Sequence, residues 1–153
     1  MIREFQLTRL ARHNFIAIME AYSLAQLNTV PIGFNNNMIW NIAHVVATYD
    51  MLCYKLHNIP TRLDGDFIEE FKKGTMPQRM LDQSFVDDLK KKMLNQVDWI
   101  ERDYKGNVFP SSIPNPYETS YRFVLNNIED VITFNNVHEN LHMGIVMSLR
   151  KFI

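Results

Sequence analysis

The chain has 153 residues, of which 46% are hydrophobic and 22% are charged, so it has the size and composition of one domain with a buried core. A net charge of −1 gives no electrostatic reason to bind nucleic acid or an anionic membrane surface. Cys53 is the only cysteine, which excludes an intramolecular disulfide and a cysteine-rich zinc site. The N-terminal segment MIREFQLTRLARHNF has no apolar core typical of a secretory signal, and no run approaches the roughly 18 apolar residues of a membrane span. We therefore expect a single domain, residues 1–153, in the reducing cytoplasm.

Two helices are predicted in the N-terminal third of the chain. Residues 3–26 carry apolar side chains at helical spacing and contain no glycine or proline, which predicts the first helix. The segment TVPIGFNNN interrupts this pattern, and Asn36 or Asn37 is a suitable cap for a second helix over residues 38–57. This second helix is expected to end before Pro60.

Two further helices follow a long connection, residues 58–83, which contains the short helical segment DFIEEFKK. Ser84 resembles the first residue of a capping box and predicts a third helix to about residue 104. The next segment, residues 105–120, is rich in proline and serine, and TSYRFVL, residues 119–125, is a candidate for extended chain. Asn126 resembles the cap of a last long helix that reaches the end of the chain.

Four long amphipathic helices without a convincing strand pattern predict an all-α fold, a four-helix bundle. A tight antiparallel connection between helices needs only a few residues. The connection between the second and third helices has about 26 residues, enough to run back along the bundle. Those two helices would then be parallel, and the bundle would have an up-down-down-up order.

The segment HENLH, residues 138–142, matches the H-E-x-x-H signature of zinc peptidases. On a helix, His138 and His142 lie on one face, about 6 Å apart along the axis, where both imidazoles could bind one metal ion. Such a pair also arises by chance on helices, and two buried histidines would then be satisfied by hydrogen bonds. A third ligand would favour the metal site.

Three other histidines are candidates for that third ligand. His57 lies near the end of the second helix and His13 lies off the apolar face of the first, so both are expected at the surface. His44 lies in an almost wholly apolar stretch and is the best candidate, although a single histidine in such a place is usually a hydrogen-bonded core residue. After His142 the chain MGIVMSLRKFI contains no His, Asp or Glu, whereas peptidases of this class take their third ligand downstream. We therefore interpret HENLH as something other than a peptidase site.

Two segments, MIWNIAHVVATYDMLCYKL and IEDVITFNNVHENLHMGIVMSLRKF, resemble the DinB-like superfamily, also called the DinB/YfiT-like metalloenzymes. In that family one histidine of the second helix and an H-x3-H pair of the last helix bind a metal, which implies His44, His138 and His142 as the ligands here. The resemblance also implies the up-down-down-up bundle. It suggests a homodimer, and bundles of this size commonly pair through exposed apolar faces. Some members are transferases or isomerases that use low-molecular-weight bacterial thiols, and many have no assigned reaction.

A three-histidine site would leave a divalent metal its full charge and an open position, which is typical of catalytic sites. Zinc is the expected metal, and nickel, cobalt and iron(II) also accept nitrogen ligands. We expect the site to activate a low-molecular-weight thiol for transfer to a small-molecule electrophile. The alternatives are a hydrolase that uses metal-bound hydroxide and a non-catalytic metal-binding bundle.

Glu139 is a candidate base by analogy with peptidases, although the residue beside a ligand more often supports the ligands or faces solvent. Three polar residues near His44 in the sequence receive no role: Asn41, Tyr49 and Asp50. Cys53 lies about 13 Å beyond His44 along the predicted helix, which is too far for its sulfur to attack a substrate at the metal. The thiol is therefore expected to come from outside the chain.

Overall fold

The structure, a computed structural model, describes residues 2–153 apart from the side chain of Ile2. In these residues the chain forms six α-helices and one short β-hairpin, which confirms the predicted all-α fold. The helices are α1 (Ile2–Ala21), α2 (Leu24–Asn28), α3 (Met38–Cys53), α4 (Gly65–Phe71), α5 (Gln83–Lys105) and α6 (Ile128–Leu149). The hairpin pairs β1 (Tyr117–Glu118) with β2 (Val124–Leu125) in antiparallel register. β2 lies within the segment predicted to be extended, TSYRFVL, whereas β1 lies just before it, in the segment predicted to be a loop. None of the described helices is long and apolar enough to cross a membrane.

The first predicted helix, residues 3–26, is divided into α1 and α2. The hydroxyl of Ser23 accepts a hydrogen bond from the backbone N–H of Gln26, and the Gln26 side chain accepts one from the backbone N–H of Ser23. This reciprocal capping box starts a new helix at Leu24. A local polar pattern therefore interrupts the apolar periodicity that predicted one continuous helix.

The other long helices begin at asparagine or aspartate caps. Asn37 caps α3 with its side-chain oxygen, as the sequence predicted. The caps of α5 and α6 are Asp82 and Asn127, and the predicted caps Ser84 and Asn126 are wrong by one or two positions. In both places several neighbouring side chains are able to cap a helix, so local sequence alone does not select one.

The second helix ends earlier than predicted, and this changes the place of His57. α3 ends at Cys53 and is followed by one 3-10 turn, Lys55–His57. His57 is only 2% exposed, so the expectation of a surface histidine is wrong. Its Nδ1–H donates to the Cys53 carbonyl at 2.7 Å, and its ring lies against Phe109 from the proline-rich connection.

The four long helices pack so that α1 and α3 are each flanked by α5 and α6. Contacts between α3 and α5 advance in the same direction along both helices. The Gln96 amide donates to the Val46 carbonyl, and the hydroxyl of Tyr54, the residue that follows α3, donates to Asp103 further along α5. α3 and α5 are thus parallel to each other, as the up-down-down-up order requires of this pair. Their connection contains α4, which packs on α3.

The centre of the bundle is α3, in which nearly every residue is buried. Two clusters of buried apolar side chains include residues of this helix, one toward each of its ends. A polar side chain on so buried a helix needs a partner in the interior, because an unpaired buried polar group is costly. His44 and Asn41 are two such side chains, and both are directed to the candidate site.

Candidate metal centre

Three histidines from two helices lie together inside the bundle. His44 comes from the middle of α3, and His138 and His142 come from successive turns of α6. One nitrogen atom of each ring lies within 4.8 Å of those of the other two, and this is the one group of that kind in residues 2–153. The ring centroids of His138 and His142 are 4.6 Å apart, and those of His44 and His142 are 4.7 Å apart. The structure therefore brings together all three residues predicted from the sequence.

The orientation of His44 is fixed from two sides. Its Nδ1–H donates to the backbone carbonyl of Phe71, at the end of α4, over 2.6 Å. The indole ring of Trp40, one turn earlier on α3, stacks on the imidazole at 4.9 Å with an interplanar angle of 9°. Because Nδ1 carries the proton, the lone pair is on Nε2, whose neighbour is the hydroxyl of Thr48 at 3.3 Å.

The orientation of His142 depends on Asn41. The Nδ1–H of His142 donates to Oδ1 of Asn41 over 2.8 Å. The amide nitrogen of Asn41 is engaged elsewhere, since it donates to the Asn36 side chain and to the Asn37 carbonyl. These two hydrogen bonds identify which end of the amide faces His142, and they leave Nε2 of His142 with the lone pair.

The three imidazoles are neutral in the folded protein. Burial lowers the pKa of His138 to about 3, and the nearby positive charges that His142 and His44 would carry lower it further in the same direction. Burial, followed by the proximity of His44, lowers the pKa of His142 to about 3. Burial also lowers the pKa of His44. At neutral pH each ring therefore has one unprotonated nitrogen, which is the form that binds metals.

The donor set fits a divalent metal ion. Three neutral nitrogens converge, and two of the rings have their other nitrogen held by an oxygen acceptor, the support that metal-binding histidines usually have. His138 gives further support for a metal ion, because its Nδ1 is buried and has no hydrogen-bond partner among the described residues. Such a nitrogen is unfavourable in a dry interior unless something binds the ring. His44, His138 and His142 are thus the residues that would hold the ion.

The same three histidines line a cavity of about 620 Å³, a size common for small-molecule sites. Its wall is mainly apolar and aromatic and includes Trp40, Leu52, Leu56, Tyr121, Phe134 and Leu141. Tyr121 comes from the loop of the β-hairpin, so the hairpin forms part of the cavity wall. None of the described aspartate or glutamate residues lines this cavity. A ligand inside it would contact imidazoles, hydrocarbon and a few neutral or basic polar groups, but no described carboxylate.

Glu139, the candidate base, is directed elsewhere. Its carboxylate is fully buried and accepts hydrogen bonds from Nε and Nη2 of Arg12 at 2.9 and 2.6 Å. The amide of Asn135 donates to the same carboxylate at 2.8 Å. Because Glu139 does not line the cavity, it is not positioned as the glutamate of a zinc peptidase, which faces the metal site. It joins α6 to α1 instead.

The remaining sequence candidates lie outside the cavity. His13 is exposed on α1, as expected. Cys53 is completely buried, and burial raises the pKa of its thiol well above the usual value, so it is not a reactive nucleophile. Asp50 accepts the backbone N–H groups of Arg62 and Leu63, which fixes the start of the long connection.

Two supporting groups of the site were not predicted from the sequence. Asn41 received no role, although its position three residues before His44 on an apolar helix was a usable signal, since a buried amide must bond to something. The Phe71 carbonyl had no signal, because any residue could supply a backbone oxygen there. Neither group can be identified without knowing how α4 and α6 pack against α3.

Replacing Asn41 by leucine is expected to weaken metal binding by about 10–100-fold, because His142 would lose the acceptor that orients its ring. Isothermal titration of the metal-free protein with zinc would measure the change. Asn95→Leu, on an exposed position of α5, is the matched control and should bind zinc as the unmodified protein does. An unchanged zinc affinity in folded Asn41→Leu would contradict this role.

Comparison with known proteins agrees with the geometry of the site. A family model of the DinB superfamily matches residues 7–146, about nine-tenths of the chain. The matched region contains α3 and the part of α6 that carries the histidine pair. The comparison with curated proteins finds no significant match. The family match, the all-α fold and the buried three-histidine cluster together show that the chain belongs to the DinB superfamily.

Proposed function

We propose that the protein is a metal-dependent transferase that activates a low-molecular-weight thiol for attack on a small electrophile. The observation that carries the proposal is the placement of three neutral histidines in a cavity whose wall has no described carboxylate. A divalent ion, with zinc expected and nickel, cobalt or iron(II) as alternatives, would supply a Lewis acid that lowers the pKa of a bound thiol, so that the thiol loses its proton to solvent. The reducing cytoplasm expected from the sequence would keep such thiols reduced.

The chain's own part in this reaction is to bind the carbon body of the electrophile and to limit access of water. The aromatic and aliphatic wall of the cavity, with Trp40, Phe134 and Leu141, provides apolar surface close to the histidines. With a haloarene as electrophile, a sulfur–carbon bond forms and the carbon–halogen bond breaks. The halide leaves with its electron pair, and the thiol proton passes to solvent.

The cavity wall favours thiol transfer over hydrolysis. Metal-dependent hydrolysis commonly relies on a carboxylate near the reacting water as a general base. Here Glu139 is occupied by Arg12, and the described part of the cavity has no other carboxylate. A thiol that loses its proton on binding needs no such base. Since Cys53 is buried outside the cavity, the thiol would come from solution.

The open cavity also favours an enzyme over a purely structural metal site. Structural zinc sites are usually closed by four protein ligands. The described residues supply a group of three, and these line a space large enough for a small molecule. This arrangement supports a site that exchanges ligands.

The test is turnover of a chromogenic haloarene and of an epoxide by metal-loaded protein, with and without bacillithiol, mycothiol, glutathione or coenzyme A. We expect a rate that depends on one of these thiols, that disappears in His138→Ala, and that persists in His13→Ala. Turnover of esters or amides that is indifferent to every thiol would indicate a hydrolase. No turnover in either set of reactions, with metal bound, would indicate a non-catalytic bundle.

A further inference from the structure

Two lysines line the same cavity at its exposed side. Lys73 follows α4 and Lys55 belongs to the 3-10 turn after α3, so separate segments of the chain bring them to one cavity. Both are exposed, whereas His44 and His142 are buried. The cavity therefore has an inner end with imidazoles and an outer side with two ammonium groups.

The cavity is lined by positively charged side chains but by no described acidic side chain that would neutralise them. Neither Lys55 nor Lys73 forms an ion pair with a described carboxylate, and none of the described acidic residues lines the cavity. The neighbouring Lys72 shows the usual alternative, because it pairs with Glu69 at 2.5 Å. Lys73 instead directs its Nζ to the hydroxyl of Ser120 at 3.1 Å, and Ser120 lines the cavity too. A bound metal would add two further positive charges to this space.

Of the two lysines, Lys73 is the better placed to bind an anion in the cavity. The positive charge of Lys55 contributes to the lowered pKa of Glu69, after the larger effect of Lys72, so Lys55 is within electrostatic reach of that carboxylate. The hydrogen bond to Ser120 holds Lys73 on the cavity side, and its four-carbon stem adds to the apolar wall. Its ammonium group has three donors, of which the hydroxyl uses one.

We propose that the ligand of this cavity carries a carboxylate or phosphate group, bound by Lys73 with support from Lys55 and Ser120, while its apolar body lies against the aromatic wall. The assignment of this group to a thiol cofactor rests on the proposed function. The preference for an anion does not, because it follows from the two lysines and from a cavity wall in which none of the described residues is acidic. The ligand class is thus an amphipathic anion.

The first experiment uses ligands without a thiol. Calorimetry with zinc-loaded protein compares 4-phenylbutyrate with the uncharged 4-phenylbutanol, which has the same apolar body. We expect the anion to bind roughly ten-fold tighter, and Lys73→Gln to reduce that preference about five-fold, the effect of one exposed ion pair. Lys91→Gln, an exposed lysine of α5 away from the cavity, should leave the preference unchanged. 4-Phenylbutyl phosphate in place of the carboxylate shows which anion the lysines prefer.

The lysine variants separate this site from direct binding of the anion to the metal. If the preference for the anion is unchanged in the double variant Lys55→Gln/Lys73→Gln, the proposal is wrong, because the metal alone then selects the charge. Equal affinity for the acid and the alcohol in the unmodified protein would overturn it as well.

A second pair of ligands distinguishes failure of this proposal from failure of the proposed function. 3-Mercaptopropionate and 2-mercaptoethanol differ in their charge and share a thiol. We expect the charged thiol to bind more tightly, with a preference that falls in Lys73→Gln. If neither thiol binds but 4-phenylbutyrate binds in a Lys73-dependent way, thiol activation fails and the anion site stands.

Discussion

Replacing His44, His138 or His142 by alanine is expected to abolish stoichiometric metal binding, each variant by itself. Unmodified protein should bind about one divalent ion per chain, because the three nitrogens form one group. Loss of a supporting hydrogen bond costs such sites about 10–100-fold in affinity, so loss of a ligand should cost more than about 100-fold. Elemental analysis after gel filtration measures occupancy, and calorimetry measures affinity.

Fluorescence gives an independent readout of the same event. The Trp40 indole stacks on His44 at 4.9 Å, so cobalt or nickel bound by that imidazole should quench Trp40 emission. His13→Ala is the matched control, because His13 is an exposed histidine of the same bundle. His57→Ala should also keep the metal, but His57 is buried, so this variant tests stability as well. Full metal occupancy in folded His44→Ala would contradict the three-histidine site.

The helices and the metal-ligand candidates could be predicted because their signals are local. Apolar spacing marks a helix within a single segment, and the i, i+4 spacing of His138 and His142 places two rings on one face whatever lies opposite. His44 was recognisable because a polar ring on an apolar helix needs a partner. The two segments are far apart in the chain, and the resemblance to the DinB-like superfamily predicted that their histidines form one metal site.

Helix ends were harder to predict where capping residues compete. Ser23 caps a new helix at a point where the apolar pattern of the first helix continues. Asp82 and Asn127 cap α5 and α6, although the predicted neighbours Ser84 and Asn126 are also suitable capping residues. The burial of His57 had no local signal either. It depends on Phe109, which the fold brings back from a connection about 50 residues later.

The groups that shape the site depend on long-range contacts. The Phe71 carbonyl meets His44 across 27 positions of sequence, and Asn41 meets His142 across 101. The cavity is formed partly by Lys73 and by Tyr121 of the hairpin, in connections for which the sequence supported no functional expectation. The expected homodimer stays a prediction for the same reason, since an interface depends on which side chains the folded helices leave exposed together.

Removing the carboxylate of Glu139 is expected to destabilise the protein strongly. In Glu139→Ala the guanidinium of Arg12, which is completely buried, would lose its counter-ion, and breaking a buried pair in this way costs about 3–5 kcal/mol. Arg12 would keep its weaker contacts to Gln96, to the Met93 carbonyl and to the ring of Tyr49. Urea unfolding measures the free energy of unfolding. Asp98→Ala, which breaks an exposed pair with Arg9, should cost less than about 1 kcal/mol.

The double variant Arg12→Met/Glu139→Leu then separates stability from chemistry. Replacing both charges by apolar side chains leaves neither one unpaired, so most of the stability lost in Glu139→Ala should return. If Glu139 only joins α6 to α1, this variant should bind metal and show thiol-dependent turnover near that of the unmodified protein. A stable, metal-loaded double variant without turnover would assign the Arg12–Glu139 pair a role in the reaction. A loss in Glu139→Ala no larger than that in Asp98→Ala would show that the ion pair does not stabilise the bundle. Because the Glu139 carboxylate is bound by Arg12 and lies outside the cavity, we expect the H-E-x-x-H pattern to supply two ligands and one structural anion.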